Sequence, residues 1–434
     1  MSRTILGGGP SALRAAAALE GARWLSSGPD RLHPELPEDR GLIEDVPGAA
    51  EALAAAYGAA PPVDGWTVGI HLDGEILTLP FHRRELLRLL PPLIARDAFA
   101  GWVRTRGRIR AQKLIGGGFE ERCYQDWPVQ RFGVAAYERL YARYGAARFG
   151  DPEQVNVSAA RLHHALPSVG RFVAPGAGPA AGWQALRAAA SDRQDIDEID
   201  HIEVRDGKVS AIAAAGGAVP VDGELFYAGP LPPLADWLGD AIPPDLAWDL
   251  RGLTTRHRAL VAMLRVGAGA ELPDELHVLD GAPFFRVSRP ERLLGAGDLK
   301  GMLLFHLAFD VGDPLWALDD GALADAVAEA ARALGLPDVD PATARVDRLP
   351  DHDPSWVGPW HPRHVRITDG LQALGVHLVG RAATHRFIDA AQELRLVDAL
   401  GRNPADAHEH QRTLLDPPVK LDDQDISITR FLER

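Results

Sequence analysis

One cysteine, three methionines and 7% aromatic residues are all that this 434-residue chain holds of those types. A single thiol, Cys123, excludes an internal disulfide framework and any multi-thiolate zinc or iron–sulfur centre, and is expected to be a packed small side chain. Long hydrophobic runs are missing too. The alanine-rich stretches Leu13–Leu19 and Ala50–Ala56 are too short and too close to charges to cross a bilayer. The first apolar run, Thr4–Leu6, gives way at once to Gly7-Gly8-Gly9-Pro10 without a basic leader, so a cytoplasmic location is expected. Positive charge is in deficit: 46 Lys and Arg stand against 60 Asp and Glu, a net −14. The average surface therefore repels phosphate backbones and anionic lipid headgroups, so neither a nucleic-acid partner nor a membrane-surface role nor an integral membrane segment is expected. No Gly-x-Ser-x-Gly elbow occurs and Cys123 has no evident His partner, so covalent hydrolysis has no support. What remains is 46% hydrophobic and 24% charged, the composition of a globular chain with material for two or more cores.

The opening reads as strand, glycine turn, helix, strand: Arg3–Leu6, Gly7–Pro10, Ser11–Glu20 and Ala22–Ser26, the first βαβ half of a dinucleotide fold. Asp73-Gly74 and Asp206-Gly207 each sit between runs of β character and predict two hairpins. Helical patterning dominates from about Arg83 to Ala165, and Asp319–Leu334 is an alanine-rich helix. Ala259–Val266, Glu275–Leu279, Phe284–Val287 and Met302–Phe309 read as strands of an antiparallel sheet. The expected architecture is α/β: a discontinuous Rossmann-like domain (1–72, 170–235 and 345–401) with an inserted mixed helical and antiparallel-sheet substrate domain (73–169 and 236–344). Residues 402–434 turn polar and are expected to be a tail with no core of its own, either pairing with a second subunit in a homodimer or lying over the surface.

Gly7-Gly8-Gly9-Pro10-Ser11-Ala12 fits G-x-G-x-x-G/A directly after a strand and at the mouth of a helix. Gly7 permits the tight turn, Gly9 lets backbone approach a pyrophosphate, and Ala12 lets helix and strand pack closely, so Gly7, Gly9, Ser11 and Ala12 are candidate cofactor contacts. The other reading is a glycine-rich turn without ligand. The acid expected near the end of the second strand has one candidate, Asp30, about twenty residues beyond Gly9 but separated from the strand by Pro29.

From residue 3 to about 400 the chain resembles the flavin-dependent amine oxidase superfamily, with its UDP-galactopyranose mutase-like and protoporphyrinogen oxidase-like members. Besides the glycine turn, the resemblance is carried by Tyr124-Gln125-Asp126-Trp127 leading to Arg131-Phe132-Gly133, by the turn Pro175–Trp183, by Phe285-Arg286-Val287, and by Leu378–Gln392 with its Gly380-Arg381 and Asp389. The resemblance implies FAD as cofactor and a small-molecule substrate. It places Gly380, Arg381, Asp389, Ala390 and Gln392 near the flavin, with the helix N-terminus facing the pyrimidine end of its ring. Arg381 and Asp389 could equally be an ion pair closing a strand–helix loop. Arg286 implies a side chain directed to the cleft, and His385 and His306 stand where relatives tend to carry tyrosine and an acid, so these three are the candidate catalytic residues. Two departures stand out: no Gly-Gly segment follows the second strand, and no Gly-Gly-His turn lies between Gly28 and Trp66. The expected function is an FAD-dependent oxidoreductase acting on a C–N or C–C bond. The alternatives are a non-redox mutase working from reduced flavin, with Arg286 and Arg386 on phosphates, or a member of the fold that has lost its flavin. No metal site is expected: His163-His164 and His361-x-x-His364 lack the spacing and companion ligands of one. Tyr137, Tyr141 and Tyr144 at helical spacing predict a core face.

Overall fold

The computed structural model describes residues 2–27, 43–44, 48–57, 63, 65–79, 90–115, 121–162, 172–173, 186, 188–190, 192–196, 198–266, 271–291, 299–358 and 360–415. Five parallel strands, in the order Val376–Leu378, Glu224–Tyr227, Arg3–Leu6, Arg23–Ser27, Asp192–Ile196, form one sheet. Alternate residues supply two cores, as the pleat requires. Ile5, Trp24 and Phe226 pack beneath the helices Gly9–Ala18, Ala49–Tyr57 and Ala390–Arg402. Leu6, Leu25, Leu225 and Tyr227 pack beneath Pro232–Leu238, Pro244–Arg251 and Trp360–Ala373. With helices on both faces, the opening strand–turn–helix sits at the centre of a doubly wound unit.

A second sheet has seven strands in the order Val339–Ser355, Thr254–Arg265, Met302–Phe309, Phe284–Ser288, Glu275–Val278, Val68–Leu72, Glu75–Thr78. Neighbours are antiparallel except Glu275–Val278 beside Val68–Leu72. Helix Asp320–Ala333, capped by the Asp319 carboxylate on the Ala322 N–H at 2.8 Å, covers one face. The aromatic helical segment Asp126–Phe149 packs on the other. Both hairpins close on Asp-Gly turns with positive φ at both residues, 53° and 76° at Asp73-Gly74 and 51° and 75° at Asp206-Gly207, the geometry that matches strand twist.

Several boundaries differ from those that composition suggests. Val68–Leu72 belongs to the seven-stranded sheet, so the opening segment of the cofactor domain ends before residue 72. Leu246, Ala247 and Leu250 join the parallel-sheet core, which carries that domain past residue 235. Val339–Ser355 is a strand although it holds Pro341, Pro350 and Pro354. It lies at the edge of its sheet and pairs with register shifts, where a missing N–H is tolerated. Residues 402–434 are not a tail throughout: Ala407–Leu415 is helical, with Ala407 in the parallel-sheet core and Gln411 buried beside Thr368. Residues 416–434 lie outside the described residues.

Candidate functional site

The glycine turn follows the central parallel strand. Gly7 is buried with Ala228 where its side chain would be, and the Trp24 indole N–H donates to the Gly7 carbonyl at 3.0 Å, fixing the turn. Gly9 has φ +80° and open space where a Cβ would stand. It begins helix Gly9–Ala18, whose N-cap residue, Gly8, contributes no side-chain hydrogen bond. Backbone N–H groups of the first turn thus have no partner within the helix and sit at its positive end. Ala12 is fully buried in the core beneath, as close helix–strand packing demands. This turn fits a pyrophosphate. Asp30, the candidate ribose acid, lies outside the described residues, as do His163-His164 and the turn Pro175–Trp183.

The C-terminal motif meets the same turn. Strand Val376–Leu378 leads into the short helix Gly380–Thr384, and a side chain at Gly380 would collide with Ser11. Arg14, one helical turn past Ser11, makes a buried ion pair with Glu393 of helix Ala390–Arg402 at 2.6 Å. Asp389 caps that helix in a reciprocal box: its carboxylate accepts from the Gln392 N–H at 2.8 Å, and its own N–H donates to the Gln392 side chain at 3.0 Å. The Gln392 N–H is therefore already occupied. The Ala390 and Ala391 N–H groups are the ones with no partner inside the helix. Arg381 donates to the Ile388 carbonyl at 2.9 Å and to the Asp353 carboxylate at 3.1 Å, so it braces the loop against the second sheet.

That loop carries His385, buried and left-handed at φ 50°, ψ 44°. Its backbone carbonyl accepts from the Trp356 indole at 2.7 Å, and its Nε2 lies 3.3 Å from the Ser355 carbonyl, which makes Nε2 the protonated nitrogen. Nδ1 has no hydrogen-bond partner among the described residues. Burial, reinforced by the Arg386 and Arg363 charges, lowers the ring's pKa to about 4, so it is neutral near pH 7. Arg386 faces His364 Nδ1 at 3.4 Å, and His364 Nε2 holds the Thr384 carbonyl at 2.6 Å, which gives His364 a structural task. Among the described residues no three His, Cys, Asp or Glu side chains gather as a metal site.

Arg381 also leads to the third part of the site. Its partner Asp353, fully buried, receives Arg258 at 2.9 Å, and Arg258 lies on the face of the seven-stranded sheet turned toward this end of the parallel sheet. The same face carries Glu275, His277, Arg286, Ser288 and His306, all buried. Arg286 donates to His306 Nδ1 at 3.0 Å, and His306 Nε2 lies 3.1 Å from the Ser288 hydroxyl. A guanidinium accepts nothing, so His306 Nδ1 carries its lone pair toward Arg286 and the ring is neutral. Glu275 lies 3.8 Å from Arg286 and 2.5 Å from His277 Nε2. His277 Nδ1 meets the Tyr144 hydroxyl at 2.8 Å, which in turn accepts from Arg148 at 3.0 Å. A guanidinium, a phenol, an imidazole and a carboxylate thus form one directed chain ending beside Arg286 and His306. Tyr137, Tyr141 and Tyr144 are buried as a core face should be, but Tyr144 also joins this chain.

Of the candidate catalytic residues, Arg286 and His306 are brought together, while His385 lies on the loop that follows helix Gly380–Thr384. Glu275, His277, Tyr144, Arg258 and Asp353 were not singled out from the sequence. The available signal was charge at every second position of an apolar strand, Glu275/His277 and Arg286/Ser288, which places each pair on one face.

No sequence-family profile matches the chain, and no curated protein matches it in sequence. Solved structures do match in fold. Reduced UDP-galactopyranose mutase superposes with a TM-score of 0.69 at 13% identity, covering 100% of this chain and 97% of the mutase. A protein of Exiguobacterium sp. 255-15, provisionally assigned as a protoporphyrinogen oxidase, gives 0.62 at 15% identity over 92% of this chain and 99% of that one. Putrescine oxidase bound to putrescine gives 0.61 at 13% identity over 93% and 98%. The chain thus shares its overall fold with all three, a parallel five-stranded sheet and a mixed seven-stranded one in this protein.

Proposed function

We propose that the protein is an FAD-dependent oxidoreductase that oxidises a C–N or C–C bond of a small metabolite. The observation that carries this reading is the open, uncapped helix N-terminus at Gly9 set at the same end of the molecule as a buried, charged sheet face. Gly7, Gly9 and the first turn of Gly9–Ala18 would hold the pyrophosphate, and the Ala390 end of the C-terminal helix would face the flavin ring. FAD, when bound, supplies the acceptor for a hydride.

The chain's own residues orient the substrate and manage its protons. The face of Arg286, His306 and Glu275 fixes polar groups without water, and neutral His385 offers the Nδ1 lone pair as an acceptor. The mutase reading asks Arg286 and Arg386 to grip phosphates. Glu275 beside Arg286 offsets the charge that grip would use, which favours the redox reading.

The test is the visible spectrum of the purified protein, with identification of whatever is released on denaturation. Stoichiometric FAD in the wild type and its loss in Gly9→Val, where a branched side chain meets φ +80°, is the expected result. A colourless protein that cannot be reconstituted, or a Gly9→Val variant with full flavin, would overturn it. Activity that appears only after flavin reduction would replace it with the mutase reading.

A further inference from the structure

Helix Pro92–Ile115, remote in sequence from every residue of the site, runs against the chain's overall charge. Between Phe81 and Phe119 there are nine Lys and Arg and two carboxylates, Glu85 and Asp97, in a protein of net −14. No acid occurs from residue 98 to 119, whereas Arg104, Arg106, Arg108, Arg110 and Lys113 follow in close order. The one acid of the helix, Asp97, is engaged at the helix's contact with Gly133 and stays partly exposed. The Asp97 carboxylate occupies the space a Gly133 side chain would take and accepts from the Ala135 N–H at 3.3 Å, with Arg104 beside it at 3.8 Å.

The outward face pairs exposed Arg96 and Arg104 with apolar side chains. Leu93, Phe99 and Val103 are 71, 63 and 46% exposed, and at 3.6 residues per turn they share that face with exposed Arg96 and Arg104. Val134, 54% exposed, stands beside them, next to Gly133. Large exposed apolar groups interleaved with cations, in a stretch whose one helical acid is already engaged by the Ala135 N–H, match a surface that presents both negative headgroups and an accessible hydrocarbon boundary. A nucleic acid would use the cations but leave Leu93, Phe99 and Val103 without a purpose. We propose that this face docks the protein peripherally onto an anionic lipid bilayer. No helix among the described residues is long and apolar enough to span one, so the contact is with the surface.

The test is cosedimentation of the full-length protein with vesicles of mixed phosphatidylglycerol and phosphatidylcholine, against phosphatidylcholine alone, at low and high ionic strength. The expected result is binding to the mixed vesicles only, released by salt. Arg96→Ala with Arg104→Ala should weaken the partition about thirtyfold. Leu93→Ser with Phe99→Ser should weaken it at least comparably, and both double variants should keep the wild-type melting temperature and flavin content. Absence of binding to the mixed vesicles at low salt would overturn the proposal. So would full binding by the serine pair, the behaviour of a general polyanion site, or a wild-type dimer that the serine pair dissociates, which would assign the face to a second copy of the chain.

Discussion

The two faces of the seven-stranded sheet differ in chemistry, one packed with apolar side chains and the other mixing apolar residues with a buried charged patch. Toward helix Asp320–Ala333 the sheet presents Leu276, Val278, Phe284, Leu303, Phe305 and Leu307, and on the other face Glu275, His277, Arg286, Ser288, His306 and Arg258 lie among the apolar Leu260, Phe285 and Leu304. Strand Met302–Phe309 is buried at every residue, so burial cannot tell one face from the other. The apolar face holds the domain together through area removed from water. The other face gains part of that area through Leu260, Phe285 and Leu304, but its charged patch carries the desolvation cost of several ions, which only full mutual pairing offsets. A fold whose sole need was stability would have an apolar layer there. Its retention in the interior, next to an open helix N-terminus, is why this face is read as the substrate side.

Breaking the charged face should cost most at the link between the sheets. Asp353 is fully buried between Arg258 and Arg381, and Asp353→Ala leaves one buried and one partly buried guanidinium without their carboxylate. A loss of about 3–5 kcal/mol in chemical denaturation is expected; a loss below about 1 kcal/mol would mean that water reaches the pair. The matching change on the apolar face is Leu323→Ala, a fully buried leucine in the helix core. It should cost about 3 kcal/mol through the cavity it opens. Flavin content per folded molecule should stay at the wild-type level, since nothing on that side reaches the site; loss of flavin there would blur the distinction between the faces.

The apolar face was legible in the sequence and the charged one only in part, for a physical reason. Strand, glycine turn and helix at Arg3–Ala18 and the two Asp-Gly hairpins are local devices, written in adjacent residues. Arg286 and His306 were singled out through the resemblance to the amine oxidase superfamily. Their partners were not, because pairing joins residues far apart: Tyr144 reaches His277 across 133 positions, and Arg14 reaches Glu393 across 379. Val339–Ser355 escaped because its prolines speak against a strand, and only its place at the sheet edge makes them tolerable. Arg381 illustrates the ambiguity that remains in a motif: its observed partners, Asp353 and the Ile388 carbonyl, brace the loop.

His385 adds a pH signature to the charged side. Its folded pKa of about 4 lies below the ordinary value of 6.5, so the unfolded chain binds this proton more tightly than the folded one. Stability from this residue is complete above about pH 6.5 and declines as pH falls toward 4. At pH 5 the decline amounts to about 2 kcal/mol. His385→Gln should remove that part of the acid limb. Denaturation curves at pH 7 and pH 5 compare the two proteins, and an unchanged difference between them would show that the imidazole is open to solvent.

The smallest stability effect should come with the largest functional one, at His306. In His306→Gln the amide oxygen can accept from Arg286 and the amide nitrogen can donate to Ser288, the roles the neutral imidazole now fills at 3.0 and 3.1 Å. Stability should therefore stay within about 1 kcal/mol of wild type. An amide does not titrate and places its polar atoms differently from a ring, so turnover should fall by about a hundredfold if the face handles a substrate proton. The corresponding change on the other face, Leu307→Met, conserves volume and should alter neither property by much. Near-wild-type turnover in His306→Gln would make the charged layer a structural network. The Nδ1 of the neutral, buried His385, without a hydrogen-bond partner among the described residues, would then be the group to test as the proton acceptor.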